Sequence, residues 1–194
     1  MQKKYLLYFL IFGLAALFLT ACGPKYEGDF SYAVQPFEFT NQDGESVSRE
    51  DLDGKFWVAD MIFTNCESVC PPMTANMARL QQKLKAEGLE DQVHLVSFSI
   101  DPENDTPEKL KEYSQQRGGT FENWDLLTGY EYEEIKELSI KSFKAYLAKI
   151  PDTDQFTHVT SFYIVSPEGN AIKRFDGTKA ANMDEIINYI KTML

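Results

Sequence analysis

Two cysteines separated by three residues are the side chains of this sequence that are best suited to chemistry. Cys66 and Cys70 lie in the segment FTNCESVCPP, residues 63–72, between an apolar run and two prolines. Such a pair can form a structural disulfide, act as a redox dithiol or supply two thiolate ligands to a metal. A disulfide across so short a loop restrains the unfolded chain only weakly. The spacing therefore favours a redox or metal-binding role over a structural one.

One of the two histidines is predicted to approach these thiols. His158 precedes the apolar segment TSFYIV, and we expect that strand to run antiparallel to the strand that leads to Cys66. The start of TSFYIV then lies beside the end of the strand that leads to Cys66. His94 begins a different strand, about 23 Å along the sheet from Asp101 at the strand's far end, and is predicted to be structural. The predicted metal ligands are Cys66, Cys70 and His158.

This set of ligands indicates which metal to expect. Structural zinc sites usually have four protein ligands. Thiolates favour Cu(I), whereas Cu(II) accepts sulfur and nitrogen together with an oxygen. We therefore predict copper, as Cu(I) or Cu(II), with one ion per domain. Asp101, at the end of the neighbouring strand, or Glu67 can supply the oxygen, although both carboxylates are equally well explained as solvated groups.

The elements around the cysteines are predicted from apolar runs and prolines. The run FWVADMIF, residues 56–63, predicts a buried strand, and Pro72 marks the first turn of a helix that ends at Gly88. Met61, Met73 and Met77 lie on this strand and helix, which indicates core packing rather than thioether ligation.

The order of elements along the rest of the chain predicts the fold class. Strand and helix patterns alternate up to a late pair of strands joined by the turn PEGN, and residues 149–158 are predicted to be irregular. This order resembles the α/β thioredoxin-like fold. The segment FEFTNQDGESVS, residues 37–48, adds an N-terminal β-hairpin extension.

The amino terminus has the pattern of an export signal. Lys3 and Lys4 precede an uncharged run, and small residues surround Cys22. The residues LTAC resemble a bacterial lipobox, which implies a lipoprotein signal peptide over residues 1–21 and lipid on Cys22. The alternatives are an uncleaved membrane anchor and an ordinary secretory signal. All three place the rest of the chain outside the cytoplasm.

The remaining sequence is predicted to be a tether followed by one domain. Residues 22–36 lack periodicity and are assigned to the tether, and residues 37–194 to the thioredoxin-like domain. The chain of 194 residues has 30 acidic and 19 basic side chains, a net charge of −11. Such a surface repels nucleic acid, which is therefore excluded as a partner.

Three blocks of sequence resemble the Sco/SenC family, whose name refers to the synthesis of cytochrome c oxidase. They are GKFWVADMIFTNCESVCPPMT, VSFSIDPENDTPEKL and THVTSFYIVSPEGN, in the family's order. The resemblance implies a thioredoxin fold and copper binding by Cys66, Cys70 and His158, with Asp101 at an acidic position close behind these ligands. The chain departs from the commoner motif THCPDxC at Asn65 and at the two residues after Cys66.

The family resemblance also implies a function and partners. Members of the family take part in assembling the dinuclear copper centre, CuA, in subunit II of cytochrome c oxidase, by delivering copper, by reducing the subunit's cysteines, or by both. We therefore expect a copper metallochaperone, held at the cell membrane by its lipid anchor. A thiol reductant is a further expected partner, because oxidising surroundings convert a dithiol to a disulfide.

Three other functions are compatible with the cysteine pair. A membrane-tethered thiol–disulfide oxidoreductase without a metal would use Cys66 as nucleophile and Cys70 as resolving thiol, but it leaves His158 without a role. A peroxidase of the peroxiredoxin type would need the frame PxxxTxxC, which is missing here. A docking module would carry the pair as a static disulfide.

Overall fold

The computed structural model of the protein describes residues 25–194. The predicted signal peptide, residues 1–21, and the predicted lipidation site, Cys22, lie outside this range. Within it, no helix combines the length and the apolar character that crossing a membrane requires.

The described residues form a mixed α/β fold. The strands are β1 (Tyr32–Ala33), β2 (Glu38–Thr40), β3 (Ser46–Ser48), β4 (Phe56–Ile62), β5 (Val93–Ser99), β6 (Trp124–Leu127), β7 (Leu147–Lys149), β8 (Phe156–His158), β9 (Ser161–Val165) and β10 (Asn170–Asp176). The α-helices are α1 (Cys70–Ala86), α2 (Pro107–Gln115), α3 (Tyr132–Phe143) and α4 (Asn182–Lys191).

Six of these strands form the central sheet, in the order β1-β10-β9-β4-β5-β6. Strands β4, β5 and β6 are parallel, whereas β9 runs antiparallel to both β4 and β10. Helix α1 packs against α2 and α4. This is the predicted thioredoxin-like arrangement. Because β9 is antiparallel to β4, the start of β9 and the end of β4 lie at the same edge of the sheet, which we call the site edge.

Strand β4 leads the chain to the site edge and is buried along its whole length. A strand covered on both faces needs a continuous apolar run rather than alternation, and FWVADMI has one except at Asp60. Met61, Met73 and Met77 are buried in the same core, as predicted.

Helix α1 begins two residues earlier than predicted. Cys70 is its first residue, followed by the two prolines of the first turn. Proline is tolerated there because the first N–H groups of a helix have no intrahelical partner. The helix ends at Ala86, and Gly88 follows with φ 66°, the left-handed conformation that glycine adopts at helix ends.

The predicted N-terminal hairpin is present as β2 and β3. Its turn is closed by Asn41, whose Oδ1 accepts hydrogen bonds from two backbone N–H groups. The backbone N–H of Thr40 donates to the carbonyl of Thr128, just after β6, and attaches the hairpin to the rest of the fold.

A second hairpin lies in the segment that was predicted to be irregular, residues 149–158. Strands β7 and β8 pair antiparallel, with Leu147 opposite His158. The prediction was wrong here because two strands of three residues are too short to produce a periodic signal. The hairpin is important for function, since its second strand ends at His158.

Residues 26–33 lie on the domain, although the sequence suggests a tether. Strand β1 pairs with β10, and the ring of Tyr26 packs edge-on against Phe56 with 5.0 Å between centroids. Tyr189 Oη donates a hydrogen bond to the carbonyl of Glu27 over 2.7 Å. We call residues 26–33 the N-terminal segment. Because Phe56 begins β4, Tyr26 lies at the edge of the sheet opposite the site edge.

Candidate metal centre

The two cysteines lie where strand β4 ends and helix α1 begins. Cys66 is in the connecting loop, and Cys70 is the first residue of the helix. The backbone N–H of Cys70 donates to Sγ of Cys66 over 3.3 Å, and both thiols are free. Cys66 is 7% exposed and Cys70 0%, so an incoming group reaches the pair from the side of Cys66.

His158 faces the same thiols from the end of β8. Its Nε2 lies 3.6 Å from Sγ of Cys70. Its Nδ1 lies 2.9 Å from the carbonyl oxygen of Val159. A carbonyl only accepts hydrogen bonds, so in the neutral ring Nδ1 carries the proton and Nε2 keeps a free lone pair. A hydrogen bond of this kind fixes the tautomer that a metal-binding histidine needs.

The ligand atoms of Cys66, Cys70 and His158 all lie within 4.8 Å of one another. Zinc, for example, holds cysteine sulfur at about 2.3 Å and imidazole nitrogen at about 2.0 Å. At such distances, two ligand atoms on opposite sides of one ion are about 4.3 to 4.6 Å apart. The three side chains therefore fit one ion with little movement. Across residues 25–194, no other set of three cysteine, histidine, aspartate or glutamate side chains is grouped in this way.

The two thiols have opposite protonation preferences. A hydrogen bond from the Cys70 side chain holds the pKa of Cys66 well below its ordinary value, and His158 adds to this effect. The same hydrogen bond, together with burial, raises the pKa of Cys70. Cys66 is therefore the thiol that ionises first, and Cys70 keeps its proton to higher pH.

A buried carboxylate lies on strand β4, near enough to Cys70 to affect the pKa of that thiol. Asp60 is fully buried; its Oδ1 accepts a hydrogen bond from Ser97 over 2.6 Å, and its Oδ2 has no partner. Burial raises the pKa of Asp60 to about 7, although the hydrogen bond from Ser97 and the charge of His158 oppose the shift. Its negative charge helps to raise the pKa of Cys70.

A second buried carboxylate supports the loop that carries Cys66. Asp105 accepts hydrogen bonds from the backbone N–H and Oγ1 of Thr64 and from Oγ of Ser99. Burial raises its pKa. Asp101, which the sequence places behind the ligands, is also buried, but its carboxylate accepts from Asn104 at 2.9 and 3.0 Å.

Neither Asp101 nor Glu67 is part of the three-ligand group. Sequence reasoning singles out neither Asp60 nor Asp105. Asp60 does have a signal, because it is the one charged residue in an apolar strand. Asp105 has none, because it lies in a loop that contains several acidic residues.

The second histidine is structural, as predicted. His94 is near the start of β5, at the opposite end of the strand from the site edge. Its Nε2 lies 2.7 Å from a carboxylate oxygen of Asp125, which also accepts a hydrogen bond from Asn41. This residue offers a matched control for His158.

Comparison with known proteins agrees with this geometry. The family model described as SCO1/SenC matches residues 27–194. The SCO1 protein homolog of Bacillus subtilis (strain 168) is 50% identical over 181 residues, which cover 93% of each chain. Among solved structures, BsSco, a member of the Sco family of cytochrome c oxidase assembly proteins with a disulfide switch, is 48% identical with a TM-score of 0.77, over 87% of this chain and 98% of its own.

A more distant relative has been solved with its metal. Arabidopsis thaliana ScoI with copper bound is 28% identical with a TM-score of 0.69, over 82% of this chain and 99% of its own. The match to the family model extends over almost the whole described chain, from the N-terminal segment through Cys66, Cys70 and His158 to the last helix. The protein therefore belongs to the SCO1/SenC family.

Proposed function

We propose that this protein binds one copper ion through Cys66, Cys70 and His158 and serves in the assembly of the CuA centre of cytochrome c oxidase. The observation that carries the proposal is the grouping of two thiol sulfurs and one imidazole nitrogen within 4.8 Å. Copper is the metal that this donor set favours, since thiolates select Cu(I) and the described residues add no fourth ligand of the kind that closes a structural zinc site.

The side chains around the site prepare it for a soft metal. Because its pKa is lowered, Cys66 is the readier of the two thiols to ionise, and Cys70 must release its proton before both sulfurs can act as ligands. In the neutral ring, Nε2 of His158 has its lone pair free for a metal, because Nδ1 holds the ring proton against Val159. Metal binding should therefore release the proton of Cys70.

The proposed partner is subunit II of the oxidase, to which the protein would deliver copper. This part of the proposal rests on the family and on the assembly role that is named for BsSco. The proposed location is the outer face of the cell membrane, with lipid on Cys22, and it rests on the lipobox-like residues LTAC. An anchored protein would work next to an oxidase that is itself in the membrane.

A second candidate function is thiol–disulfide exchange, and the lowered pKa of Cys66 favours it. The Cys66 thiolate would attack a disulfide of the partner and form a mixed disulfide, while the partner's other sulfur leaves as a thiolate. Cys70, after losing its proton, would then attack Cys66 and release the partner's second thiolate. The partner would be reduced by two electrons, and a separate thiol reductant would be needed to restore Cys66 and Cys70.

The test is an anaerobic titration of the reduced domain with Cu(I) and Cu(II), followed by absorption and electron paramagnetic resonance. We expect one ion per chain and a sulfur-to-copper charge-transfer band on Cu(II). Cys66→Ser, Cys70→Ser and His158→Ala should each weaken the band and the affinity. His94→Gln is the matched control, because it changes the other histidine, far from the thiols.

The same set of variants distinguishes the two candidate functions. Stoichiometric copper binding that depends on His158 but not on His94 supports the copper site. Absence of stoichiometric binding, together with rapid disulfide exchange that His158→Ala does not alter, would reject it in favour of the oxidoreductase. Transfer of copper to the purified copper-free domain of subunit II then tests the assembly role directly.

A further inference from the structure

The ligands of the proposed metal site come from two segments that are far apart in the chain. The loop of residues 63–69, which we call the dithiol loop, carries Cys66, and the β7–β8 hairpin carries His158 at its end. Close contact between these two segments is therefore required for the site to exist. Asn65, next to Cys66, makes hydrogen bonds to the hairpin through both its side chain and its backbone.

The hydrogen bonds of Asn65 form a closed ring with two hairpin residues. Nδ2 of Asn65 donates to Oδ2 of Asp154, and Nε2 of Gln155 donates to the carbonyl oxygen of Asn65 over 3.0 Å. Nε2 of Gln155 also lies 3.2 Å from Oδ1 of Asp154. We call Asn65, Asp154 and Gln155 the Asn65 latch. Each of its members contacts the other two, so the loop and the hairpin are joined at one point by mutually supporting hydrogen bonds.

The latch acts close to the histidine. Gln155 is three residues before His158 along the chain, and its carbonyl accepts a hydrogen bond from Ile150 that closes the hairpin. Beneath the latch, the rings of Phe63 and Phe156 pack edge to face with 5.1 Å between centroids. Phe156 pairs with Lys149, next to the turn, so the apolar contact and the latch together hold the turn end of the hairpin against the dithiol loop.

We propose that Asn65, Asp154 and Gln155 are positioning residues, which hold the β7–β8 hairpin against the dithiol loop so that His158 stays within reach of both sulfurs. The latch includes Asn65, one of the positions at which this chain departs from the commoner family motif. The effect on copper rests on the proposed function, whereas the effect on the hairpin does not. Loss of the latch should let His158 withdraw while Cys66 and Cys70 stay in place.

The first test uses the metal-free reduced protein and measures amide hydrogen exchange in residues 149–160. Asp154→Ala removes the acceptor for Asn65 and should speed exchange in the hairpin by about tenfold, since local opening then breaks fewer hydrogen bonds. Asp154→Asn keeps only one of the two acceptor oxygens, because Oδ1 and Oδ2 accept from Gln155 and Asn65 respectively, and should give an intermediate rate of exchange. Asp152→Asn is the charge control, because Asp152 lies in the same turn outside the latch, with a left-handed φ of 59° that asparagine tolerates.

The second test measures the rate at which bound copper dissociates to a chelator. We expect Asp154→Ala and Gln155→Ala to increase the rate by about tenfold. Asp154→Asn, which loses one of the two acceptor oxygens, should increase the rate less than Asp154→Ala does, and Asp152→Asn should leave it unchanged. In the background of His158→Ala the latch substitutions should have no further effect, because they act through that histidine.

The outcomes separate the latch from the copper site. Equal hydrogen exchange in Asp154→Ala and Asp152→Asn would overturn the latch, even if copper binds normally. An additive effect of Asp154→Ala and His158→Ala on copper dissociation would also overturn it. If the wild-type protein binds no copper, the proposed function fails, and the exchange measurement on the metal-free protein still decides whether the latch exists.

Discussion

Sγ of Cys70 lies 3.6 Å from Nε2 of His158, although 88 positions separate the two residues in the chain. The contact forms because β9 runs antiparallel to β4, which places the residues that precede β9 beside the residues that follow β4. The start of helix α1 therefore lies beside the end of the β7–β8 hairpin, and Nε2 of His158 lies close to the sulfurs of Cys66 and Cys70. The predictions below concern the groups that support this meeting point.

The first prediction concerns the protonation of Cys66. Cys70→Ala removes the hydrogen bond that lowers the pKa of Cys66, so ionisation should move up toward the ordinary cysteine range of about 8.5. The measurement is the ultraviolet absorbance of the thiolate as a function of pH, on the reduced and metal-free protein. Wild type should show one thiolate per chain already at mildly acidic pH. Cys66→Ala is the control and should show ionisation only above the ordinary range; superimposable curves for wild type and Cys70→Ala would contradict the assignment.

The second prediction concerns Asp60 and stability. Its pKa is raised from 3.8 in the unfolded chain to about 7 in the folded protein, so its contribution to stability is fully present below pH 3.8 and is lost as the pH rises through 7. Asp60→Asn removes this loss. The variant should therefore gain stability relative to wild type between pH 5 and pH 8, by about 3 kcal/mol, since about two pKa units of the shift lie above pH 5.

Urea unfolding at the two pH values measures this difference. The difference between variant and wild type isolates Asp60 from Asp105 and the thiols, which also titrate. Asp91→Asn, at an exposed position, is the control and should not change with pH in this way. A constant difference between Asp60→Asn and wild type at both pH values would show that Asp60 is ionised in the folded protein throughout.

The third prediction compares two buried carboxylates in one loop. Asp105→Ala leaves the donors on Thr64 and Ser99 without an acceptor, so we expect a loss of about 2 to 3 kcal/mol of unfolding free energy and weaker copper binding. Asp101→Ala removes an acceptor that serves Asn104 and should leave copper affinity unchanged. Urea unfolding and copper titration of both variants test this. Weaker copper binding by Asp101→Ala alone would reinstate the role that the family resemblance implies for Asp101.

The fourth prediction concerns the N-terminal segment. A Cβ on Gly28 would lie 2.2 Å from the carbonyl oxygen of Ile172, so Gly28→Ala should displace the segment from β10 and cost about 1 to 3 kcal/mol. Glu27→Ala is the matched control, because Glu27 contacts Tyr189 only through its backbone carbonyl. Faster amide exchange over residues 26–33 in Gly28→Ala, but not in Glu27→Ala, is the expected result. Equal exchange in both would mean that the segment does not depend on this close approach.

Much of the fold follows from local patterns. The buried run of β4, the prolines at the start of α1 and the turn of the β2–β3 hairpin have clear sequence signals, and the structure contains all three elements. The meeting of Cys66, Cys70 and His158 was also predictable, because the direction of a strand determines which of its ends lies at the site edge.

Other features depend on contacts that a linear pattern does not contain. Strands β7 and β8 are held by the packing of Phe156 on Phe63 and by the latch, and strand β1 by its pairing with β10. Asp105 was missed for the same reason. Its role arises from the fold bringing Thr64 and Ser99 to one carboxylate, whereas Asp101, four residues earlier in the same acidic loop, accepts from Asn104 instead.

With the proposed lipid anchor, the docking of the N-terminal segment would determine which way the thiols face relative to the membrane. Tyr26 packs at the start of β4 and Cys66 follows its end, so the seven residues of the strand separate the two by about 23 Å. Under the proposed lipid anchor on Cys22, only Gly23 and Pro24 lie between the lipid-bearing residue and the first described residue, Lys25. The end of the domain that carries Tyr26 would then face the bilayer, and the sulfurs would lie at the opposite end. A copper acceptor would have to present its own cysteines at a similar height above the lipid headgroups, which a domain projecting from the membrane can do and a site within the bilayer cannot.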